Sequence, residues 1–333
     1  AGGESAFIAF DPDNPETVYG GTYQGNISKW NRTSRTQKSI KEYPELGLSI
    51  APKDSRYRYN WNAPIISSPH DRNTIYHAGN VVFKTTDGGI SWQTVSPDLT
   101  RNEEDKHGPG GGPYTNEAAG GENYNTLMSL VESQHEEGVL YAGSDDGLLH
   151  ITRNGGESWQ NVTPPGISDG IINSIDISEH DPATAYVVVM RYKSMDLSSH
   201  IFRTSNYGQS WTKIVKGLDD PNGFARVVRA DKKRKGLLYA GTETGLYVSN
   251  DDGANWQRLD LNLPVVAIND LIIQDNDLVA ATSGRGFWIL DDLGVLQNIT
   301  AEQKKVQIFP PKDSYRIFNG VSKAVGQGTN PRS

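Results

Sequence analysis

Cysteine is absent from the 333 residues, which excludes disulfides, a thiolate metal site and a cysteine nucleophile. No apolar run approaches the roughly 18 residues of a membrane-spanning helix, so no membrane span is expected. Basic side chains are outnumbered, 32 Lys and Arg against 40 Asp and Glu, and such an acidic surface repels a phosphate backbone. Nucleic acid is therefore not an expected partner. The longest basic run, Lys232-Lys233-Arg234-Lys235, lies between two apolar stretches and reads as a solvated turn. Helical periodicity is not convincing anywhere. The seven histidines show no metal-ligand spacing with Asp, so neither a metal site nor a cofactor is expected. The N-terminal Ala-Gly-Gly-Glu has no initiator Met or signal peptide and reads as a processed end or a fragment. Hydrophobic residues still make up 35% of the chain, enough with 35 glycines to build a sizeable core.

A repeat fills most of the sequence. Four segments share the frame Ser/Thr-x-Asp/Asn-x-Gly-x-Ser/Asn-Trp, with Asp87 and Trp92, Asn154 and Trp159, Asn206 and Trp211, and Asp251 and Trp256 at the two key positions. A strand ending in small residues comes before each, clearest in Tyr141-Ala142-Gly143-Ser144 and Tyr239-Ala240-Gly241-Thr242. Counterparts begin at Tyr19, Tyr76, Tyr186 and Val279, making six anchors spaced 57, 65, 45, 53 and 40 residues apart. Ahead of each anchor stands a short apolar strand and a polar turn, as in Ala6–Phe10 before Asp11-Pro12. Each unit reads as a four-stranded antiparallel meander of about 45 residues, the mark of a β-propeller blade. The sequence predicts an all-β fold: a β-propeller of about six blades over residues 1–309, closed alone or completed by blades outside this sequence. Residues 310–333 are expected to be a linker or truncated edge.

In the repeated turn, Gly permits positive φ, the Asp or Asn accepts backbone N–H groups, and the Trp is expected to pack beneath the turn. Those eight residues are read as structural. Asn at two of the four Asp/Asn positions supports this, because an amide holds a turn but is no general base.

Chemistry has few places to sit. The longest departure from the repeat is Thr100 to Asn125, a Gly-rich insert with Glu117, Glu122 and Tyr124. It reads equally as a ligand-lining loop or an inter-blade plug. It is no phosphate loop, lacking a following Lys-Ser/Thr. Asn60-Trp61-Asn62 precedes a first strand and suits sugar stacking or peptide recognition, or else closes a blade joint. Glycoside hydrolysis needs two carboxylates about 5–10 Å apart, for which Glu117, Glu122 and Asp145 are candidates. Asp145 and Glu243 lie in equivalent turns, which favours a shared structural role.

These motifs resemble the Asp-box, or BNR-repeat, β-propellers, a group including sialidases, xyloglucan-active hydrolases and sortilin-type receptors. A nearer resemblance, carried by Gly3-Glu4-Ser5-Ala6-Phe7, Asn60-Trp61-Asn62-Ala63-Pro64 and Ser283-Gly284-Arg285-Gly286-Phe287-Trp288, is to long secreted sortilin-like or BNR-repeat glycosyl hydrolase-like proteins of Bacteroidetes. It implies a secreted, periplasmic or cell-surface bacterial protein, with the remainder of a longer polypeptide or further blades as partners. Arg191, Arg226, Arg229 and Arg285 are similar to the carboxylate-binding arginines of sialidases, although the sialidase N-terminal Arg motif is missing; Arg285, at a turn, is the better exposed ligand candidate. Three functions stay open: a non-catalytic recognition propeller for a protein, peptide or glycan ligand; a glycoside hydrolase module; and a purely architectural domain.

Overall fold

The computed structural model describes residues 7–11, 14–47, 50–108, 121–299 and 308–309. Glu117 and the expected linker at 310–333 lie outside these residues.

Six antiparallel sheets follow one another along the chain, and within each the strands pair strictly with their sequence neighbours. Blade 1 comprises β1 (Ile8–Asp11), β2 (Asn14–Thr22), β3 (Asn26–Asn31) and β4 (Thr36–Ser39). Blade 2 has β5 (Ile65–Ser67), β6 (Ile75–Ala78), β7 (Val82–Thr85) and β8 (Gln93–Thr94). Blade 3 has β9 (Leu127–Glu132), β10 (Leu140–Ser144), β11 (Leu149–Thr152) and β12 (Gln160–Asn161). Blade 4 has β13 (Ile171–Ile177), β14 (Ala185–Met190), β15 (Ile201–Thr204) and β16 (Thr212–Lys213). Blade 5 has β17 (Ala225–Ala230), β18 (Leu238–Thr242), β19 (Leu246–Ser249) and β20 (Gln257–Arg258). Blade 6 has β21 (Ile268–Gln274), β22 (Asp277–Thr282) and β23 (Phe287–Leu290), followed by the short helix α1 (Gly294–Asn298). All six sequence anchors fall in second strands. The expectation of four strands holds for five blades; blade 6 shows three among the described residues.

The blades stack face to face as a β-propeller. Every residue of β10, β14 and β18 is buried, because each of these strands is covered on both faces by neighbouring blades. One joint shows the pattern: Tyr141, Leu149 and Ile151 of blade 3 meet Ile172, Val187 and Phe202 of blade 4 in one core cluster. Each such aliphatic side chain contributes about 1.5–3 kcal/mol on burial. The end blades differ. Ile8 and Phe10 on blade 1 are 69% and 50% exposed, and Ile272, Phe287 and Ile289 on blade 6 are 54%, 79% and 59% exposed.

The four repeated turns fasten these joints. Within each, the Asp or Asn Oδ1 accepts a backbone N–H four residues on: Ser91 to Asp87, Ser158 to Asn154, Ser210 to Asn206 and Asn255 to Asp251. The Ser91 hydroxyl and N–H hold the Asp87 carboxylate well below its usual range. The tryptophans do not pack only beneath their own turns. Each indole N–H crosses to the preceding blade and donates to a carbonyl there: Trp92 to Ile40 (2.8 Å), Trp159 to Val95 (2.8 Å), Trp211 to Val162 (2.7 Å) and Trp256 to Ile214 (2.9 Å). Trp256 is buried and the other three are half-buried, and in every case the indole N–H ties its blade to the one before it.

The turn glycine makes the approach possible. Gly156 has φ +101°, and a Cβ there would sit 2.3 Å from the Val95 carbonyl oxygen. Gly156→Ala is expected to cost about 1–3 kcal/mol, from the left-handed backbone and from pushing the hairpin off blade 3's neighbour. Urea denaturation of the two proteins checks it; an unchanged midpoint would show that the hairpin does not need this close approach.

Candidate functional site

The turns between second and third strands lie beside the starts of the first strands. In blades 3, 5 and 6 this turn is pinned by the same bond: Asp145 N–H to Thr126 O, Glu243 N–H to Phe224 O, and Ser283 N–H to Ala267 O. Of the residues singled out from sequence, Asp145, Glu243 and Arg285 lie in or beside these turns, and Trp61, Glu122, Tyr124 and Arg226 lie just before or at the start of first strands.

Asp145 is buried, and both its oxygens are occupied by Thr126, whose N–H (2.9 Å) and hydroxyl (3.2 Å) donate to it. Burial pushes its carboxyl up to about 8, and neighbouring Asp146 adds to the rise. Asp146, also buried, accepts from the Arg101 N–H, the Asn125 amide and the Ser144 hydroxyl. Asn125 Oδ1 in turn meets the Glu103 N–H and the buried His107 ring. Arg58 spans Asp98 (2.6 Å), Thr100 and the Asn125 carbonyl. These bonds seal both described arms of the 100–125 insert onto blades 2 and 3, so those arms are tethers. Glu122 receives the Trp61 indole N–H at 3.2 Å and bridges to Asn60. Asn60 also donates to the Asn123 carbonyl. Tyr23 meets the Trp61 ring edge-on at 5.4 Å. Tyr124 is 7% exposed with the Lys106 ammonium 5.3 Å from its ring centre. Trp61 and Tyr124 thus close a joint, while Asn62 stays exposed.

Further round the same face, Arg226 pairs with Glu243, and its guanidinium lies 5.5 Å from the Phe224 ring centre. Tyr192, 37% exposed, stacks on Phe224 at 5.6 Å and 14°. Arg191 bridges Asp169 and Asp196 beside this ledge. Arg285, in the blade 6 turn, is exposed. Arg229 is occupied elsewhere, donating to Ser174, to the Leu271 carbonyl and to Asp270. Sequence reading missed the ledge, since Tyr192 and Phe224 are 32 positions apart on two blades and neither belongs to the repeat.

A Ser-His-Asp cluster also escaped notice: Ser198, His200 and Asp196. It cannot work as a nucleophilic triad. Lys213 Nζ lies 3.2 Å from His200 Nδ1, and an ammonium only donates, so the ring proton sits on Nε2. That nitrogen faces both Asp196 (2.9 Å) and Ser198 (3.1 Å), leaving no base for the Ser198 hydroxyl. Burial and Lys213 also lower the His200 pKa. Among the described residues, no group of three or more His, Asp or Glu is placed to hold a metal.

No family model matches the chain. It is 20% identical over 241 residues to a probable oligoxyloglucan-reducing end-specific xyloglucanase of Neosartorya fischeri, spanning 65% of this chain and 27% of that protein. The GH74 xyloglucanase from Xanthomonas campestris superposes with a TM-score of 0.58 at 19% identity, over 88% of this chain and 45% of that one. YCF48 bound to D1 peptide gives 0.53 at 16% identity, over 87% and 78%. YCF48 from Cyanidioschyzon merolae gives 0.52 at 14%, over 86% and 81%. The chain thus spans about a quarter of the curated relative and under half of the xyloglucanase structure. What these likenesses establish is the architecture: a six-bladed β-propeller similar to those of GH74 xyloglucanases and YCF48.

Proposed function

We propose that this chain is a non-catalytic recognition propeller that binds a glycan or peptide through the Tyr192–Phe224–Arg226 ledge and the turns around it. One observation carries the reading. The carboxylates best suited to acid–base work are committed: Asp145 to Thr126, Glu122 to Trp61 and Glu243 to Arg226. The ledge, by contrast, offers an exposed aromatic edge with guanidinium and carboxylate groups alongside, the mixture that sugar and peptide ligands use. The fold is shared with a YCF48 that was seen with a peptide bound, which supports a peptide ligand; likeness to xyloglucanases supports a glycan. A secreted or cell-surface setting in a bacterium accords with the sortilin-like and BNR-repeat resemblance, and the uncovered faces of blades 1 and 6 suit further β-structure of a longer polypeptide.

Xyloglucan oligosaccharides and an immobilised peptide library provide the test. Tyr192→Ala and Arg226→Ala are each expected to weaken whichever ligand binds at least tenfold, with no reducing ends released from the glycan. Binding unchanged in both variants would refute the ledge. The second reading is a glycoside hydrolase module, favoured by the Asp145 carboxyl raised to about 8, a protonation state suited to a general acid. Release of reducing ends by the parent protein, abolished in Asp145→Asn and Glu122→Gln, would establish it.

A further inference from the structure

The joint between blades 5 and 6 lacks the indole fastening that the four before it possess. The residues in register with the repeated turn are Leu290-Asp291-Asp292-Leu293-Gly294-Val295-Leu296-Gln297, which keep the Asp and Gly but replace Trp with Gln297. Gln297 crosses to blade 5 in its place, donating its side-chain amide to Asp231 there and to Asn276 of its own blade, without reaching the Leu259 carbonyl. Two consequences stand side by side. First, β23 is an edge: among the described residues no fourth strand pairs with it, whereas β7, β11, β15 and β19 each pair with one. Second, an open, mostly apolar groove lined by Leu246, Leu259, Leu261, Leu263, Trp288 and Leu290, with Asp260 and Asn262 among them, lies beside Leu259. The Leu259 N–H bonds to the Leu246 carbonyl, as Ile214 does to Ile201 and Val162 to Leu149. Leu259 therefore stands where Ile40, Val95, Val162 and Ile214 receive a tryptophan. Among the described residues, none donates to its carbonyl.

We propose that blade 6 is a strand-accepting site, taking one extended, tryptophan-bearing segment of another polypeptide that pairs with the β23 edge and seats its indole against Leu259. The four preceding joints define the occupant's chemistry: an indole N–H donor on a short antiparallel strand. Exposed Ile289 and Phe287 continue the apolar surface outward from the groove. The exposed Asp291 at the end of the edge favours a basic residue nearby, like Lys213 on β16 and Arg258 on β20. The seven tryptophans of residues 1–333 are already engaged: four fasten joints, Trp61 is held by Glu122, Trp30 sits in β3 between two paired strands, and Trp288, in β23 itself, donates to the Arg285 carbonyl.

The probe is a fluorescein-labelled peptide of residues 253–260, Gly-Ala-Asn-Trp-Gln-Arg-Leu-Asp, titrated with the full chain by fluorescence anisotropy. Binding is expected, weakened at least tenfold when the peptide tryptophan becomes alanine. It should weaken equally when the protein carries Leu261→Arg, at a 70% exposed position, with an unchanged thermal midpoint as the control for folding. A benzoylphenylalanine in place of the peptide tryptophan should cross-link within residues 259–263 or 288–290. No binding below about 1 mM, indifference to either substitution, or cross-links elsewhere would overturn the proposal. So would two alternative occupants: a dimer that Leu261→Arg dissolves, or binding that appears only after Phe309→Ala, Tyr315→Ala and Phe318→Ala are combined.

Discussion

Trp256→Ala is expected to lower the unfolding free energy by about 3–5 kcal/mol, among the largest single-residue effects in the molecule. Trp256 is 4% exposed, lies in the core cluster between blades 4 and 5 with Tyr186, Val188 and Tyr247, and donates to the Ile214 carbonyl. Alanine removes the ring from the joint and leaves the Ile214 oxygen buried without its donor. Two companion variants separate these contributions. Trp256→Phe keeps most of the packing but not the donor, and is expected to cost about 1–2 kcal/mol. Trp30→Ala, at a 36% exposed indole outside the repeated turn, is expected to cost under about 1 kcal/mol. Urea denaturation of the three variants measures all of this. Equal losses for Trp256→Ala and Trp30→Ala would mean that the repeat's tryptophan has no special place in holding the blades.

The second large effect is one of pH, and it turns on Asp145. An unfolded Asp titrates near 3.9, whereas in the fold desolvation, helped by Asp146, raises Asp145 to about 8 against the pull of the Thr126 bonds. The folded pKa is the higher one, so the fold favours the neutral acid. The stability this group contributes is complete below about pH 4 and is lost as pH rises through about 8. The loss is at most on the order of 1.4 kcal/mol for each pH unit separating the two pKa values. Asp145→Asn keeps an acceptor for the Thr126 N–H and removes the titration. The variant is expected to match the parent at pH 4 and to exceed it by several kcal/mol at pH 9, read as a rise in the thermal midpoint. Parallel stability curves for the two proteins would contradict this. The result also bears on function, since a general acid at this position would lose its activity in the same variant that gains stability.

How much of this was legible follows from the range of each contact. The six second strands announced themselves because Tyr-Ala-Gly runs and Asx turns are local signals, and burial of both faces gives β10, β14 and β18 their unbroken apolar character. The turn geometry around Asp87 was equally legible, its bonds spanning four residues. The destination of the tryptophans was not. Trp159 reaches a carbonyl 64 residues back in sequence, and nothing near it marks Val95 as the acceptor. The same limit hid the role of Asp145: its partner Thr126 lies 19 residues away across the blade, and their bonds pin the turn beside β9, while neighbouring Asp146 tethers the insert through Arg101 and Asn125. Trp61 and Glu122, read separately as ligand and catalytic candidates, turn out to satisfy each other. Blade 6 shows the opposite case, where Asp292 and Gly294 preserve a frame that is silent because Gln297 replaces its tryptophan.

The central claim is that this sequence spends its most conspicuous motif on joining blades rather than on chemistry. Exchange of the seven indole N–H groups in heavy water, followed by nitrogen-edited NMR, tests it most directly. Trp92, Trp159, Trp211 and Trp256 should exchange only through global unfolding, orders of magnitude more slowly than Trp30 and Trp288 near the open ends of the stack. Exchange of those four at the same rate as Trp288 would show that the indoles do not hold the joints.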